Sequence, residues 1–322
     1  MTLVRDLGEQ GLLAQLQAFC PVDIVGDDAA VLAFPAGEKL VVTTDVLVDK
    51  VHFSDRTTSP QDAGWRAVAA NLSDLAAMGA SPLGITVGLA VTGNLAVSWV
   101  LQLYQGISDC LKQYHTPLVG GDICRSEVIS IAITAFGQVS PNRIIKRAAA
   151  KVGDAIVVTG IHGASRAGLE LLLNPEFAQN LSEDERKLLI QAHQRPKPRL
   201  DVLPILWNIL DSSTQIAGMD SSDGLADAVL QICRASHVGA ILERTLIPVP
   251  TSAQWDWVLY GGEDFELVLC LPPEAAEALV KQIGNSSAII GEITSGNAVW
   301  LKDSTKAYAD QVLSLSKGFQ HF

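Results

Sequence analysis

Seven aspartates stand where apolar segments meet polar or glycine-rich ones: Asp27 and Asp28 in GDDAAVL, Asp45 in VVTTDVLV, Asp74 in NLSDLAAMG, Asp122 in GGDICRS, and Asp220 and Asp223 in DSSDGLAD. A further stretch, GGEDFELVL, repeats the Gly–acid theme at Gly261 to Glu266. Singly, each could be a turn former or, like Asp223, a charge complementing a helix N-terminus. Gathered in one cleft, such carboxylates would repel one another unless divalent cations neutralised them. Magnesium is held by a few carboxylates together with waters and substrate phosphates. Aspartates on several segments, beside Gly–acid turns that allow close backbone approach, suit that mode; the EF-hand spacing of a calcium loop is missing. Phosphoryl transfer asks a protein mainly for positioning and charge neutralisation. The pattern therefore points to metal held against phosphate.

Asp74 is the least easily explained as a structural residue. It lies inside the helix-like run WRAVAANLSDLAAMG, where aspartate is a poor helix former. If buried, its carboxylate needs a partner, and Asn71, three residues earlier, shares its face. Arg147 in IIKRAAAKVGD could reach a phosphate or simply sit on the surface. His52 in DKVHF, and Glu263 with Asp264 before a strand, are open to a structural or a binding reading. GxxxxGK[ST], HExxH and GxSxG are all missing, and GIHGASRAG (160–168) matches neither a dinucleotide nor a phosphate-loop pattern.

The elements that would position these residues are legible in outline. A first helix is expected over about 3–19 and a β-branched strand over 39–48. A helix starts with Ser59 as N-cap and Pro60 at its first position, and ends at Gly79. Its Trp65, Val68, Leu72, Leu75 and Met78 recur at helical spacing, which predicts one core-facing side. Strands are expected at LGITVGLAV and VISIAITAFGQV, with a helix over 94–115 between them. KRAAAKVGD (146–154) reads as a joint. Beyond it come the strand DAIVVTG, helices near 164–173 and 182–194, the linker RPKPRLD, a helix after DSSDG, strands near 239–243 and 265–271, and a helix over about 273–283. At 322 residues two domains are expected, each α+β, divided as 1–148 and 149–322.

Composition narrows the partners. The chain is 48% apolar and carries 35 acidic against 23 basic residues, a formal charge of −12. That balance argues against nucleic acid, which needs clustered basic residues. Five scattered cysteines without a CxxC pair disfavour zinc and disulfides and suit a reducing cytosol. The N-terminus lacks an apolar leader, and no run approaches the roughly 18 to 20 apolar residues of a membrane span. A cytoplasmic protein with no membrane partner is expected.

Taken together and in this order, GDDAAVL, TTDVLVDKVHF, NLSDLAAMGASP, GGDICRS, DSSDGLADAV and GGEDFELVL resemble the thiamine-monophosphate kinase family. This belongs to an ATP-using superfamily with aminoimidazole ribonucleotide synthetase, selenophosphate synthetase and a hydrogenase maturation protein. The resemblance implies two α+β domains with mixed sheets flanked by helices, the N-terminal one binding ATP and magnesium and making a homodimer. It implies direct transfer of the ATP γ-phosphoryl group to thiamine monophosphate without a phospho-enzyme. Several Mg2+ ions would be held by Asp28, Thr43, Thr44, Asp45, Asp74, Asp122, Asp220 and Asp223. Gly121, Asp122, Arg147 and Ser222 would meet ATP, His52 and Glu263 would face the thiamine phosphate, and the tail residue Phe319 would stack on the thiamine rings. Ser221 departs from the family pattern, which commonly has an apolar residue there.

Other readings remain open. Another ATP enzyme of the superfamily is one, although Cys20 lies in no glycine-rich loop as selenophosphate chemistry would want, and the closing GFQHF has no cysteine. A non-catalytic nucleotide binder would show a decayed aspartate set, and a purely structural protein would leave a buried Asp74 without an account.

Overall fold

The computed structural model of the chain describes residues 2–21, 30, 32–251, 254–284 and 286–317. The chain divides into two compact units, residues 1–75 with 80–139, and residues 76–79 with 140–322. The segment around the expected joint at 148 clusters with the second unit.

In the first unit, helix α1 (Val4–Leu16) is followed by strand β1 (Lys39–Val48), helix α2 (Pro60–Ala77), strand β2 (Ser81–Val91), helix α3 (Val97–Gln113), and strands β3 (Leu118–Arg125) and β4 (Ser130–Val139). The four strands form one sheet in the order β1-β4-β2-β3. Only β2 and β3 run parallel; β1 and β2 both pair antiparallel with β4. Alternation along β4 puts Ile131, Ile133 and Ala135 in the core, while Ala132, Thr134 and Phe136 face the other way and are half-buried. On β1 the same outward face exposes Leu40, Val42 and Val46, at 55%, 53% and 48%.

Ser59 caps α2 as expected: its hydroxyl accepts the Asp62 amide at 3.1 Å and donates to the Asp62 carboxylate at 2.6 Å. One side of α2 was expected to face the core. Instead Ala63, Trp65, Ala67, Val68, Ala69, Leu72, Leu75 and Ala76 are all buried, so nearly its whole circumference is enclosed. The small residues on its other faces permit this. At the crossing with α3, an added Cβ on Gly64 would lie 2.1 Å from the Leu103 carbonyl, and one on Gly106 only 1.7 Å from that of Gln61.

The second unit contains β5 (Ala155–Val158), α4 (Ala164–Leu173), α5 (Glu183–Gln194), α6 (Val202–Ile209), β6 (Ala217–Asp220), α7 (Leu225–Ser236), β7 (Gly239–Glu243), α8 (Trp255–Tyr260), β8 (Leu267–Leu271), α9 (Pro273–Ile283), β9 (Ala288–Thr294), β10 (Val299–Lys302) and β11 (Gln311–Val312). Its mixed seven-stranded sheet has the order β11-β10-β7-β9-β5-β8-β6. Every residue of β5, β6 and β8 is buried, because both faces are covered. Ile156 and Val158 enter a core with Leu225, Val229 and Ile232 of α7, whereas Ala155 and Val157 enter another with Leu206 of α6 and Leu279 of α9. Each large aliphatic side chain so buried is worth about 1.5–3 kcal/mol. The architecture is α+β in two domains. Among the described residues no helix is long and apolar enough to cross a membrane.

Candidate functional site

The first unit brings together part of the expected metal set. Along β1, Thr43 and Asp45 point toward α2. The Thr43 hydroxyl donates a short hydrogen bond to the Asp74 carboxylate, and the Asp45 amide donates to the Asn71 side chain at 3.1 Å. Asn71 is fully buried and held by a bond from its amide to the Ala67 carbonyl at 2.9 Å. The half-buried Asp74 thus has the partner its helical position demanded, and that partner is itself a candidate ligand.

Thr44 and Asp122 lie elsewhere. Thr44 belongs to the outward face of the sheet, where its hydroxyl meets that of Thr134 at 2.8 Å. Asp122 pairs with Gly88, Gly88 with Ala132, and Ala132 with Val46, so Asp122 shares the outward face with Thr44 and not the face of Asp45 and Asp74. GGDICRS, expected as a turn, is the body of edge strand β3. Gly121 has a reason internal to the sheet: a Cβ there would stand 2.4 Å from the Val87 carbonyl of the neighbouring strand. His52 sits in the turn after β1 with Nδ1 accepting the Val48 amide at 3.0 Å, which leaves the neutral ring's proton on Nε2. Asp28 and Phe319 lie outside the described residues.

The second unit assembles the other group where β6 ends and α7 begins. Asp220 is 3% exposed, and the Ser222 hydroxyl donates to it at 2.9 Å. Asp223 and Asp227 are close enough to influence each other. Burial raises the Asp227 pKa, the Asp223 charge raises it further, and the Arg147 guanidinium opposes both. Arg147 therefore lies within electrostatic reach of Asp227. Ser221, by contrast, is fully buried and its hydroxyl has no hydrogen-bond partner among the described residues.

The GGEDFE turn is zipped to this loop. The Glu263 amide donates to the Ser222 carbonyl at 2.7 Å, and the Ser221 amide to the Glu266 carbonyl at 2.8 Å. Glu263 and Phe265 both take left-handed backbone conformations, with φ of 60° and 53°. For non-glycine residues such conformations cost energy and persist only where surrounding contacts impose them. The Glu263 carboxylate lies 3.9 Å from Nδ1 of the buried His193.

Three residues of this region went unassigned in the sequence reading. Asp264 accepts the Gly163 amide at 2.7 Å and the Ser165 amide at 2.9 Å. Burial still pushes its pKa up to about 7, against the hydrogen bonds from Ser165, Gly163 and Ala164 and with help from the Glu266 charge. Glu266 accepts Arg199 Nη1 at 2.5 Å and the Thr159 hydroxyl at 2.6 Å. Arg199 also donates to the Thr159 carbonyl at 2.5 Å and to both Asp201 oxygens at 3.0 Å. Burial alone would lower the Arg199 pKa; the Asp201 and Glu266 contacts outweigh it and hold the guanidinium above its ordinary value. Acids inside an apolar-flanked GGEDFE motif were the available signal.

The donor chemistry fits magnesium. Thr43, Asp45, Asp74, Asp220, Ser222 and Asp223 offer hard oxygens, without the thiolate or imidazole sets that select softer metals. Among the described residues no cluster of three or more His, Cys, Asp or Glu side chains encloses a metal by itself. A cation that keeps waters and phosphate oxygens in its shell needs only one or two protein carboxylates.

Residues 26–139 match the family model of the AIR synthase related protein, N-terminal domain, and residues 151–302 that of its C-terminal domain. A thiamine-monophosphate kinase of Synechococcus elongatus is 55% identical, with 99% of this chain and 98% of that protein covered. The solved thiamine-monophosphate kinase of Stenotrophomonas maltophilia superposes with a TM-score of 0.79 at 31% identity, covering 90% of this chain and 95% of that one. A solved chain described as AaThiL complexed with AMPPCP and TMP gives 0.71 at 30% identity, covering 97% and 99%.

Proposed function

The chain belongs to the thiamine-monophosphate kinase family of AIR synthase related proteins, and from that membership we propose that it transfers the γ-phosphoryl group of ATP to thiamine monophosphate, giving thiamine diphosphate and ADP. The observation that carries this reading is 55% identity to such a kinase along 99% of the chain; the neighbour holding AMPPCP and TMP supports the same pair of substrates.

In this proposal a phosphate oxygen of thiamine monophosphate attacks the γ-phosphorus in line. The new P–O bond forms as the bond to the ADP oxygen breaks, and the electron pair leaves with ADP. The attacking phosphate is already ionised at neutral pH, so no protein side chain need act as a strong general base. Asp28, Thr43, Thr44, Asp45, Asp74, Asp122, Asp220 and Asp223 are proposed to hold several Mg2+ ions. When bound, magnesium would offset the charge gathered on the phosphate oxygens. Thr43 orients the Asp74 carboxylate through its hydroxyl, and Ser222 does the same for Asp220. Arg147 supplies positive charge beside Asp227 for the ATP phosphates, with Gly121 and Ser222 also at the nucleotide. His52, Glu263 and Phe319 are assigned to thiamine monophosphate.

We also propose a homodimer through the N-terminal unit and a cytoplasmic location, where free cysteines stay reduced. The test is chromatographic detection of thiamine diphosphate from purified protein, ATP and thiamine monophosphate, with and without magnesium, alongside Asp74→Ala and Asp122→Ala. Magnesium-dependent product that is lost in both variants supports the assignment. Product unaffected by either variant refutes the metal set, and no product from the wild-type chain refutes the reaction.

A further inference from the structure

The GGEDFE turn holds two non-glycine residues in left-handed backbone, Glu263 and Phe265, on either side of Asp264. Something must impose that shape, since non-glycine residues pay strain to hold it. The Glu263 carboxylate lies beside His193. The Asp264 side chain turns to the start of α4, where its two oxygens receive the Gly163 and Ser165 amides at 2.7 and 2.9 Å. The first amides of a helix have no partners of their own, so a carboxylate there gains from both the hydrogen bonds and the helix dipole. Sequence distance makes this a tertiary contact: the bonds join residues 101 and 99 positions apart. The same turn is tied on its other flank, where Glu266 takes Arg199 at 2.5 Å and Thr159 at 2.6 Å.

We propose that Asp264 is a positioning residue: by latching the turn to the N-terminus of α4 it holds Glu263 in its left-handed conformation, with its amide on the Ser222 carbonyl and its carboxylate beside His193. The proposal rests on the assignment of Glu263 to thiamine monophosphate. Asp264 touches no substrate itself. Its loss frees the Gly163 and Ser165 amides and leaves the strain at Glu263 without its opposing contact. The turn then relaxes, and the thiamine-phosphate side of the site loses definition before the nucleotide side does.

The experiment compares wild type, Asp264→Ala and Asp264→Asn in two ways: hydrogen exchange of the α4 N-terminal amides without ligands, and steady-state kinetics with each substrate varied. Because both Asp264 oxygens hold amides of α4, Asp264→Ala is expected to raise the KM for thiamine monophosphate about tenfold or more. The KM for ATP should change less than about twofold. Asparagine keeps the shape and one acceptor oxygen, so Asp264→Asn should fall between, in exchange and in KM alike, and it serves if the alanine variant does not fold. Faster exchange with an unchanged KM for thiamine monophosphate would overturn the positioning role, as would equal rises in both KM values. Unchanged exchange in Asp264→Asn would overturn the latch whatever the reaction. A wild-type chain inactive on thiamine monophosphate would instead overturn the functional reading, with the exchange result still deciding the latch.

Discussion

Replacing Arg199 by leucine should destabilise the second unit chiefly through the loss of its buried contact with Glu266. The Arg199 and Glu266 side chains are 12% and 17% exposed and meet at 2.5 Å. Removing one partner of a buried ion pair typically costs about 3–5 kcal/mol, because the remaining charge is left in a poor dielectric. Two effects moderate this here. Leucine recovers part of the apolar burial of the arginine stem, worth about 1 kcal/mol. Glu266, whose pKa burial already raises, can take up a proton and shed its charge. A net loss of about 2–3 kcal/mol is expected at neutral pH. Urea denaturation followed by tryptophan emission reads it, since Trp207, Trp255, Trp257 and Trp300 all lie in the second unit. In the double variant Arg199→Leu with Glu266→Gln, the orphaned carboxylate is gone and at least half of the loss should return. A loss below about 0.5 kcal/mol, or a double variant as unstable as the sum of the singles, would refute the idea that charge burial sets the cost.

Asp264 makes stability depend on pH in a defined direction. Its folded pKa of about 7 stands above the ordinary 3.8, so the folded chain binds more protons between those values. Its contribution is full below about pH 4 and lost as pH rises through about 7, with a ceiling of about 4 kcal/mol. Urea midpoints across pH 4–8 should fall with rising pH and flatten in Asp264→Asn; an equal slope in the variant would count against it. Gly106→Ala should cost more than about 3 kcal/mol despite alanine's better helix propensity, because the added Cβ would meet the Gln61 carbonyl at 1.7 Å; an unchanged melting temperature would contradict the close helix crossing. Ser221→Ala should stabilise by about 1 kcal/mol, since it removes a buried hydroxyl with no partner among the described residues; destabilisation on thermal melting would show that the hydroxyl is engaged after all.

Much of this protein was legible in the linear chain wherever the signal is local. The Ser59–Pro60 start of α2, the β-branched run of β1, and the helices α4, α5, α7 and α9 stand where caps and periodicity put them, because capping and amphipathic spacing act within a few residues. The aspartates and glycines point by type alone to the metal and phosphate chemistry that remains a proposal for this chain. GGDICRS was misread as a turn because glycine is depleted in strands; only the neighbouring strand reveals why Gly121 is there. Sheet register decided which candidates can meet. Side chains alternate faces along a strand, and a register shift between Ile85 and Thr86 where β2 meets β3 sets the parity of Asp122 relative to Asp45. No spacing along the chain encodes that parity. The contacts of Asp264 with α4 and of Arg199 with Glu266 are of the same kind. They join residues separated by 99 and 67 positions, and they exist because burial leaves a helix terminus and a carboxylate no water to turn to, only each other's side of the fold.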